Sequence, residues 1–137
     1  MKHIGKLLIM NSEDDTYLLL TRTDHPRYGT DPDLPGGTLE PGESINAAMI
    51  REVYEEIGLL VDEKSTKILC QTSEYSTVGN EFTLFYTELG SRPSVTLDWE
   101  HSAYRWCDLS RLIVTARDAT DPYMHMVADV LEVKSSL

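Results

Sequence analysis

Residues 37–59 read GTLEPGESINAAMIREVYEEIGL, and this stretch decides the fold. Positions 44–57 contain no glycine or proline, so they can form an uninterrupted helix. Gly58 follows as a good terminator, because glycine adopts the left-handed conformation of a helix C-cap without strain. Pro41 and Gly42 supply a turn before the helix. The stretch therefore predicts a turn followed by one helix over residues 44–57.

Three carboxylates share one face of this helix. At about 100° per residue, with Glu52 at 0°, Glu55 falls at about −60° and Glu56 at about +40°. Like charges at these spacings repel by a few tenths of a kcal/mol per pair, so helix stability does not favour them. The arc from about 100° to about 200° carries the residues that we expect to face the core. They are Val53, Ile57, Ile50 and Tyr54.

The same segment fits a fixed spacing, G-x5-E-x7-R-E-U-x-E-E-x-G-U, where U is aliphatic. The matching positions are Gly37, Glu43, Arg51, Glu52, Val53, Glu55, Glu56, Gly58 and Leu59. At a background of about 6% per residue type, chance would produce this match roughly once in 10⁷ to 10⁸ chains of this length. The pattern is the Nudix box, and the segment resembles that of Nudix (MutT-like) hydrolases. The resemblance implies the Nudix fold, an α/β/α sandwich with a mixed β-sheet between helices.

The resemblance also implies roles for the residues of the box. Its metal ligands would be Glu52, Glu55, Glu56 and the carbonyl of Gly37, with Glu52 either a ligand or the group that orients the attacking water. Arg51 would belong to the catalytic set and, with Glu43, organise the loop and helix, and Gly58 would be structural. The implied reaction is attack of water on phosphorus in a nucleoside diphosphate linked to another moiety.

Elementary chemistry explains why carboxylates are concentrated in this segment. Carboxylate and carbonyl oxygens are hard ligands that suit Mg²⁺ or Mn²⁺ and leave room for phosphate oxygens. An acidic face can therefore hold a polyphosphate only through such a cation. Arg51 is the only base between Asp31 and Glu63, and a guanidinium can bind a carboxylate with two hydrogen bonds. We expect Glu43 to be its partner.

Beyond the box, further candidates come from the loops and strand ends. Glu100 opens the pattern E-H-x-x-Y-x-W, and by similarity it reaches the metals and can serve as general base. Asp98, Glu81 and Glu74 compete for that role, whereas His101 is expected to be structural. Arg22 and Arg27 are candidate phosphate contacts or, equally, solvated surface charges. Five aromatic residues could stack a base, and the sequence does not choose among them: Tyr28, Tyr75, Phe85, Trp99 and Tyr123.

The flanking sequence predicts strands on both sides of the helix. Five are expected, over residues 4–10, 17–20, 68–78, 82–89 and 104–107. The first two look like an edge hairpin, and residues 23–42 look like a long irregular loop because they carry four prolines and four glycines. Asp121 before Pro122 predicts the start of a final helix. The order ββ, helix, βββ, helix predicts one domain over residues 1–137 with a mixed sheet between helices.

Composition limits the partners. The 12 Lys and Arg against 23 Asp and Glu leave a net charge of −11, which repels nucleic-acid polymers. Residues 31–63 carry nine acids against one base, so most of the excess lies on this loop and helix. Cys70 and Cys107 lack the spacing of a metal site and are expected to be buried thiols. The apolar run within the first ten residues is too short for a signal peptide or a membrane span, so a cytoplasmic protein is the default expectation. Whether the chain forms a homodimer stays open.

Two other site types fail on spacing. An EF-hand starting at Asp31 would need ligands where Pro35 and Gly42 stand, and no GxxxxGK[ST] stretch occurs. A noncatalytic Nudix-fold module that binds a nucleotide is the remaining alternative to an enzyme. Among substrates, a (d)NTP that loses pyrophosphate is the first expectation, with nucleotide sugars and dinucleoside polyphosphates as alternatives.

Overall fold

The computed structural model describes residues 1–135 and places seven strands and three α-helices in this part of the chain. In chain order they are β1 (His3–Asn11), β2 (Thr16–Arg22), β3 (Pro32–Asp33), β4 (Gly36–Thr38), α1 (Ile45–Ile57), β5 (Thr66–Thr72), β6 (Glu81–Leu89), β7 (His101–Cys107), α2 (Leu109–Asp118) and α3 (Pro122–Ser135). A single 3-10 turn, Glu63–Ser65, precedes β5.

The sheet is mixed and runs in the order β3-β2-β1-β6-β5, with β4 added to β1 and β7 added to β2. Strand β1 pairs in parallel with β6 along its whole length, and the other pairings are antiparallel. The expected hairpin of β1 and β2 is confirmed, but its expected place at an edge is wrong, because β3 and β6 flank the pair. The two strands pair only near the turn, at Met10 with Tyr17 and Asn11 with Thr16. The run Leu7 to Ile9 is fully buried, as is typical of a central strand covered on both faces.

Helices cover both faces of the sheet, so the predicted α/β/α sandwich is confirmed. On one face α1 packs on the sheet through Met49, Val53 and Ile57, which meet Leu7, Ile9, Leu18, Leu20 and Phe85. On the other face lie residues of α2 and α3, among them Leu112, Ala116, Tyr123, Val127 and Leu131, which meet Leu8, Leu19, Phe82 and Leu84. These two apolar layers bury the side chains of the central strands and fix the position of α1 over the sheet.

Helix α1 begins and ends where the sequence predicts. The Ser44 side chain accepts a hydrogen bond from the Ala47 N–H, and Gly58 ends the helix at φ 75°. Its buried face is rotated from the expected one: Tyr54 is 57% exposed, whereas Glu56 is only 5% exposed. The reason is tertiary, because Gly36 N–H of β4 donates to Glu56 Oε1 at 3.1 Å and Asp98 N–H donates to the Glu56 carbonyl at 3.0 Å.

Several local expectations differ from the structure. The loop 23–42 contains the short strands β3 and β4, because pairing with β2 and β1 supplies hydrogen bonds that local sequence does not reveal. Strand β5 ends at Thr72 and not at Val78, and α2 was not predicted although Asp108 caps it by accepting from Arg111 N–H. The final helix is confirmed. Within residues 1–135 no helix is long and apolar enough to cross a lipid bilayer.

Candidate active site

A cleft of about 410 Å³ opens where the box loop, helix α1 and the strands β1 and β2 meet. Its volume falls in the range that takes a small-molecule ligand of nucleotide size. Three glutamates line it and are called the acidic wall: Glu52, Glu56 and Glu100. Four basic side chains line the same cleft and are called the basic wall: Lys2, Lys6, Arg22 and Arg27. The fold thus brings acidic and basic side chains from separated segments of the chain to one cavity.

The acidic wall contains a group of donors suited to a divalent cation. One carboxylate oxygen from each of Glu56, Asp98 and Glu100 lies within 4.8 Å of the other two. Three hard oxygen donors at this separation fit Mg²⁺ or Mn²⁺, which prefer carboxylate and phosphate oxygens. Two of the three, Glu56 and Glu100, belong to the predicted metal set. From the sequence Asp98 is only a competing candidate for the base, and the fold brings it into this group.

Glu56 is the most buried of the box carboxylates. Its Oε1 accepts a hydrogen bond from Gly36 N–H at 3.1 Å. Burial raises the pKa of Glu56 to about 8, although the positive charge of Lys6 opposes that shift. Near neutral pH the side chain therefore holds a proton until a cation takes its place.

Glu52 packs directly against Gly37. A Cβ placed on Gly37 would lie 2.6 Å from the Cδ of Glu52, which is closer than real side chains approach. A larger residue at this position would displace the Glu52 carboxylate, because the glutamate occupies the space of a side chain. Burial also raises the pKa of Glu52, so its carboxylate is held in a partly dry environment at the cleft wall.

Arg51 joins the loop to the helix, as expected. Its Nε and Nη2 donate to both oxygens of Glu43 at 2.8 and 3.0 Å, so the predicted pair with Glu43 is confirmed. Its Nη1 donates to Glu52 at 2.9 Å, and Nη2 donates to the carbonyl of Thr38 at 3.3 Å. Glu55 is exposed, lies 3.4 Å from Arg51 and does not line the cleft. The structure therefore separates Glu55 from the group formed by Glu56, Asp98 and Glu100.

A buried ionic network lies behind the cleft and is centred on Asp33, which is 2% exposed. Asp33 Oδ1 accepts from Lys6 Nζ at 2.5 Å, and Oδ2 accepts from His101 Nε2 at 2.9 Å. Arg22 Nη2 is 3.3 Å from Asp33 and donates to Asp121 at 2.8 Å. Burial alone would raise the pKa of Asp33, but these cations hold it well below its usual range. The carboxylate is thus charged throughout the physiological range.

His101 connects this network to the acidic wall. Its Nδ1 is 2.8 Å from Asp98 Oδ1, while its Nε2 faces Asp33. Burial opposes a charge on the ring, yet the hydrogen bonds to Asp33 and Asp98 raise the pKa of His101 to about 9. The structural role expected for this histidine is consistent with its side-chain exposure of 1%.

The two predicted phosphate contacts both line the cleft, but they differ in burial. Arg22 is 8% exposed, and its Nε has no hydrogen-bond partner among the described residues. Its guanidinium lies 5.4 Å from the ring of Tyr28, and that of Arg27 lies 6.0 Å from the same ring. Of the five aromatic candidates, Tyr28 and Tyr123 line the cleft, and Tyr123 is held by hydrogen bonds in the core. Tyr28 is therefore the remaining aromatic candidate for stacking a base, and it lies beside Arg22 and Arg27.

Sequence reasoning missed three members of the site: Lys6, Asp33 and Asp121. Lys6 carries a signal, because it interrupts the apolar strand that runs from Ile4 to Met10. In the sequence, Asp33 fits only a ligand position of the calcium loop that the spacing excludes. Asp121 was identified as a helix cap, and it does accept from Tyr123 N–H at 2.9 Å while its other oxygen pairs with Arg22.

Comparisons with known proteins agree with this architecture. A family model described as NUDIX domain matches residues 1–129. An asymmetrical bis(5'-nucleosyl)-tetraphosphatase of Caenorhabditis elegans is 30% identical over 119 residues, which cover 85% of each chain. The crystal structure of the MutT protein from Methanosarcina mazei Go1 superposes with a TM-score of 0.75 at 24% identity and covers 99% of this chain and 96% of that one. The chain belongs to the NUDIX domain family.

A shorter match has higher identity. A Bacillus subtilis (strain 168) protein named "Putative 8-oxo-dGTP diphosphatase" is 43% identical over 54 residues. The matched segment covers 39% of this chain and 34% of the Bacillus protein, so the comparison spans about a third of that relative.

Proposed function

We propose that this protein is a Mg²⁺- or Mn²⁺-dependent hydrolase that cleaves a phosphoanhydride bond in a nucleoside diphosphate linked to another moiety. Family membership supports the reaction class, and the names of the relatives include hydrolases of such bonds. We also propose that residues 1–137 form one domain. The family model spans residues 1–129, and both apolar layers pack against the same sheet.

The observation that carries the proposal is that one cleft is lined by both acidic and basic side chains, beside a group of carboxylates that could hold a cation. A polyphosphate is repelled by Glu52, Glu56 and Glu100 unless a divalent cation lies between them. The basic side chains that line the same cleft, Lys2 and Arg27 with Arg22, can then neutralise the remaining phosphate charge.

Glu56, Asp98 and Glu100 would hold the cation, with Glu52 and the Gly37 carbonyl beside them. A cation bound there would screen phosphate charge and lower the pKa of bound water.

Side chains of the cleft would supply the base for the hydrolysis and position the groups around it. Water would attack phosphorus, the anhydride P–O bond would break, and the leaving phosphate would take the bonding electrons. Glu100 is our candidate for the base that accepts the proton of the water, and Glu52 is the alternative, because both line the cleft. Arg51 would act through Glu52, which it holds at 2.9 Å. Glu55 would contribute charge from the helix surface.

A (d)NTP that releases pyrophosphate is our first substrate, since a cleft of about 410 Å³ accommodates one nucleotide. The name of the Bacillus relative supports this choice. A dinucleoside polyphosphate is the second candidate, favoured by the match to the Caenorhabditis tetraphosphatase over 85% of each chain. The second nucleoside of such a substrate would lie outside the cleft.

Hydrolysis of a substrate panel tests the proposal. The purified chain is incubated with each dNTP, 8-oxo-dGTP, a dinucleoside tetraphosphate and a nucleotide sugar, first with EDTA and then with Mg²⁺ or Mn²⁺. Products are separated by chromatography, and ¹⁸O-water shows which phosphorus is attacked. We expect cation-dependent cleavage that is lost in Glu56→Gln and kept in Glu13→Gln, an exposed acid of the β1–β2 turn. No cleavage of any substrate with either cation would favour the noncatalytic module instead.

A further inference from the structure

The geometry around His101 suggests more than a packing role. The residue opens β7 immediately after Glu100, and its ring is enclosed between two carboxylates. Nδ1 lies 2.8 Å from Asp98 Oδ1, and Nε2 lies 2.9 Å from Asp33 Oδ2. Ionised carboxylates only accept hydrogen bonds, so both ring nitrogens donate. The ring therefore links the buried Asp33 on one side to Asp98 on the other, and Asp98 is one of the three carboxylates that could hold a cation.

Backbone contacts fix the segment that carries Asp98 and Glu100, but they do not fix the direction of the Asp98 side chain. Asp98 N–H donates to the Glu56 carbonyl at 3.0 Å, and Thr23 N–H donates to the Glu100 carbonyl at 2.8 Å. The Asp98 carboxylate is nevertheless repelled by the Glu100 carboxylate, which lies within 4.8 Å. Its hydrogen bond to His101 is the contact that opposes this repulsion.

The other side of the ring is rigid. Asp33 is buried and also accepts hydrogen bonds from Lys6 Nζ at 2.5 Å and from its neighbour Leu34 N–H at 2.9 Å. An imidazole bound to such an anchor has little freedom to turn. The Asp98 carboxylate, which Nδ1 contacts, is consequently held at a defined position relative to β3 and β7.

We propose that His101 is a positioning residue of the cation site: its Nδ1–H holds Asp98 where the carboxylate meets Glu56 and Glu100, and Asp33 fixes the ring. This inference rests on the proposed function, since it requires a divalent cation at that group. Hydrogen-bond partners of metal-ligating carboxylates commonly set metal affinity, and their loss weakens it by about 10- to 100-fold. His101 would thus act on the reaction without touching the substrate.

Two variants separate positioning from packing. In His101→Asn the amide nitrogen takes the place of Nδ1 and can donate to Asp98, whereas in His101→Gln it takes the place of Nε2 and can donate only to Asp33. Each variant loses one hydrogen bond and the charge of the ring. Mn²⁺ affinity is measured by electron paramagnetic resonance of the free ion, without substrate, and thermal denaturation shows how far each variant is destabilised.

We expect His101→Asn to bind Mn²⁺ nearly as well as the parent chain and His101→Gln to bind it about 10-fold more weakly. The control His125→Gln, in α3, should leave the affinity unchanged. Equal affinities in the two His101 variants, or weaker binding by the Asn variant, would overturn the positioning role while the proposed function stands. A parent chain that binds no Mn²⁺ would overturn both. A role in packing alone lowers the stability of both variants without separating their affinities.

Discussion

Replacing Glu56 by Gln should have opposite effects on stability and on activity. The carboxyl is 5% exposed and accepts from Gly36 N–H at 3.1 Å, a bond that the Gln carbonyl can keep. Gln has nearly the same shape but neither ionises nor provides a charged ligand. We expect the metal-free variant to be more stable than the parent chain at neutral and alkaline pH, and to lose cation-dependent hydrolysis.

The magnitude follows from the pKa of Glu56, which burial raises from 4.5 to about 8. Between these values the unfolded chain has released a proton that the folded chain keeps, so stability falls as pH rises, by about 1.4 kcal/mol per pH unit. The accumulated cost is about 3 kcal/mol at pH 7 and about 4 kcal/mol at pH 8, and it approaches about 5 kcal/mol at higher pH. The Gln variant lacks this cost, and below pH 4.5 the two chains should be equally stable.

Urea denaturation in EDTA between pH 5 and pH 9 measures the difference. The gap between the variant and the parent chain should widen with pH and become constant above about pH 8. Glu13→Gln, which changes an exposed acid, serves as the matched control and should show no such widening. A Glu56→Gln chain that is equally or less stable at pH 8 would refute the reasoning, because the buried carboxylate would then carry no ionisation cost.

Three further changes have distinct outcomes. Gly37→Ala puts a Cβ 2.6 Å from Glu52, so hydrolysis should fall on the order of 10- to 100-fold while the circular dichroism spectrum is retained; unchanged turnover would contradict the packing described here. Gly58→Ala forces an L-residue to φ 75°, which should cost about 1 kcal/mol in urea denaturation and leave turnover at 25 °C nearly unchanged. Arg51→Lys loses the two-bond contact to Glu43, so stability should fall by about 1 kcal/mol and hydrolysis should weaken; equal denaturation midpoints would argue against this contact.

Local sequence was sufficient for helix α1 and its surroundings. The absence of glycine and proline between Ser44 and Gly58 predicted the bounds of the helix, and the lone base Arg51 among acids predicted its pairing with Glu43. Both results depend on residues of one continuous segment, 43–58. Capping and short-range charge pairing operate within such a segment whatever the rest of the chain does.

The buried face of α1 was predicted only in part. Val53 and Ile57 are buried as expected, but Tyr54 is exposed and Glu56 is buried. A helical wheel does not show what else contacts the helix, and Gly36 of β4 donates to the Glu56 carboxyl. The central place of β1 was also missed, since its parallel partner β6 lies more than seventy residues away.

The sequence by itself determined the family resemblance, the acidic face and the class of cation that oxygen ligands favour. Only the tertiary structure decided which carboxylates meet: Glu56 with Asp98 and Glu100, but not Glu55. It also placed Lys6, which no motif marks, beside Asp33. The physical reason is distance. Ligand groups and buried ion pairs form between side chains that the sheet brings together, and a spacing pattern within one segment carries no information about partners on another.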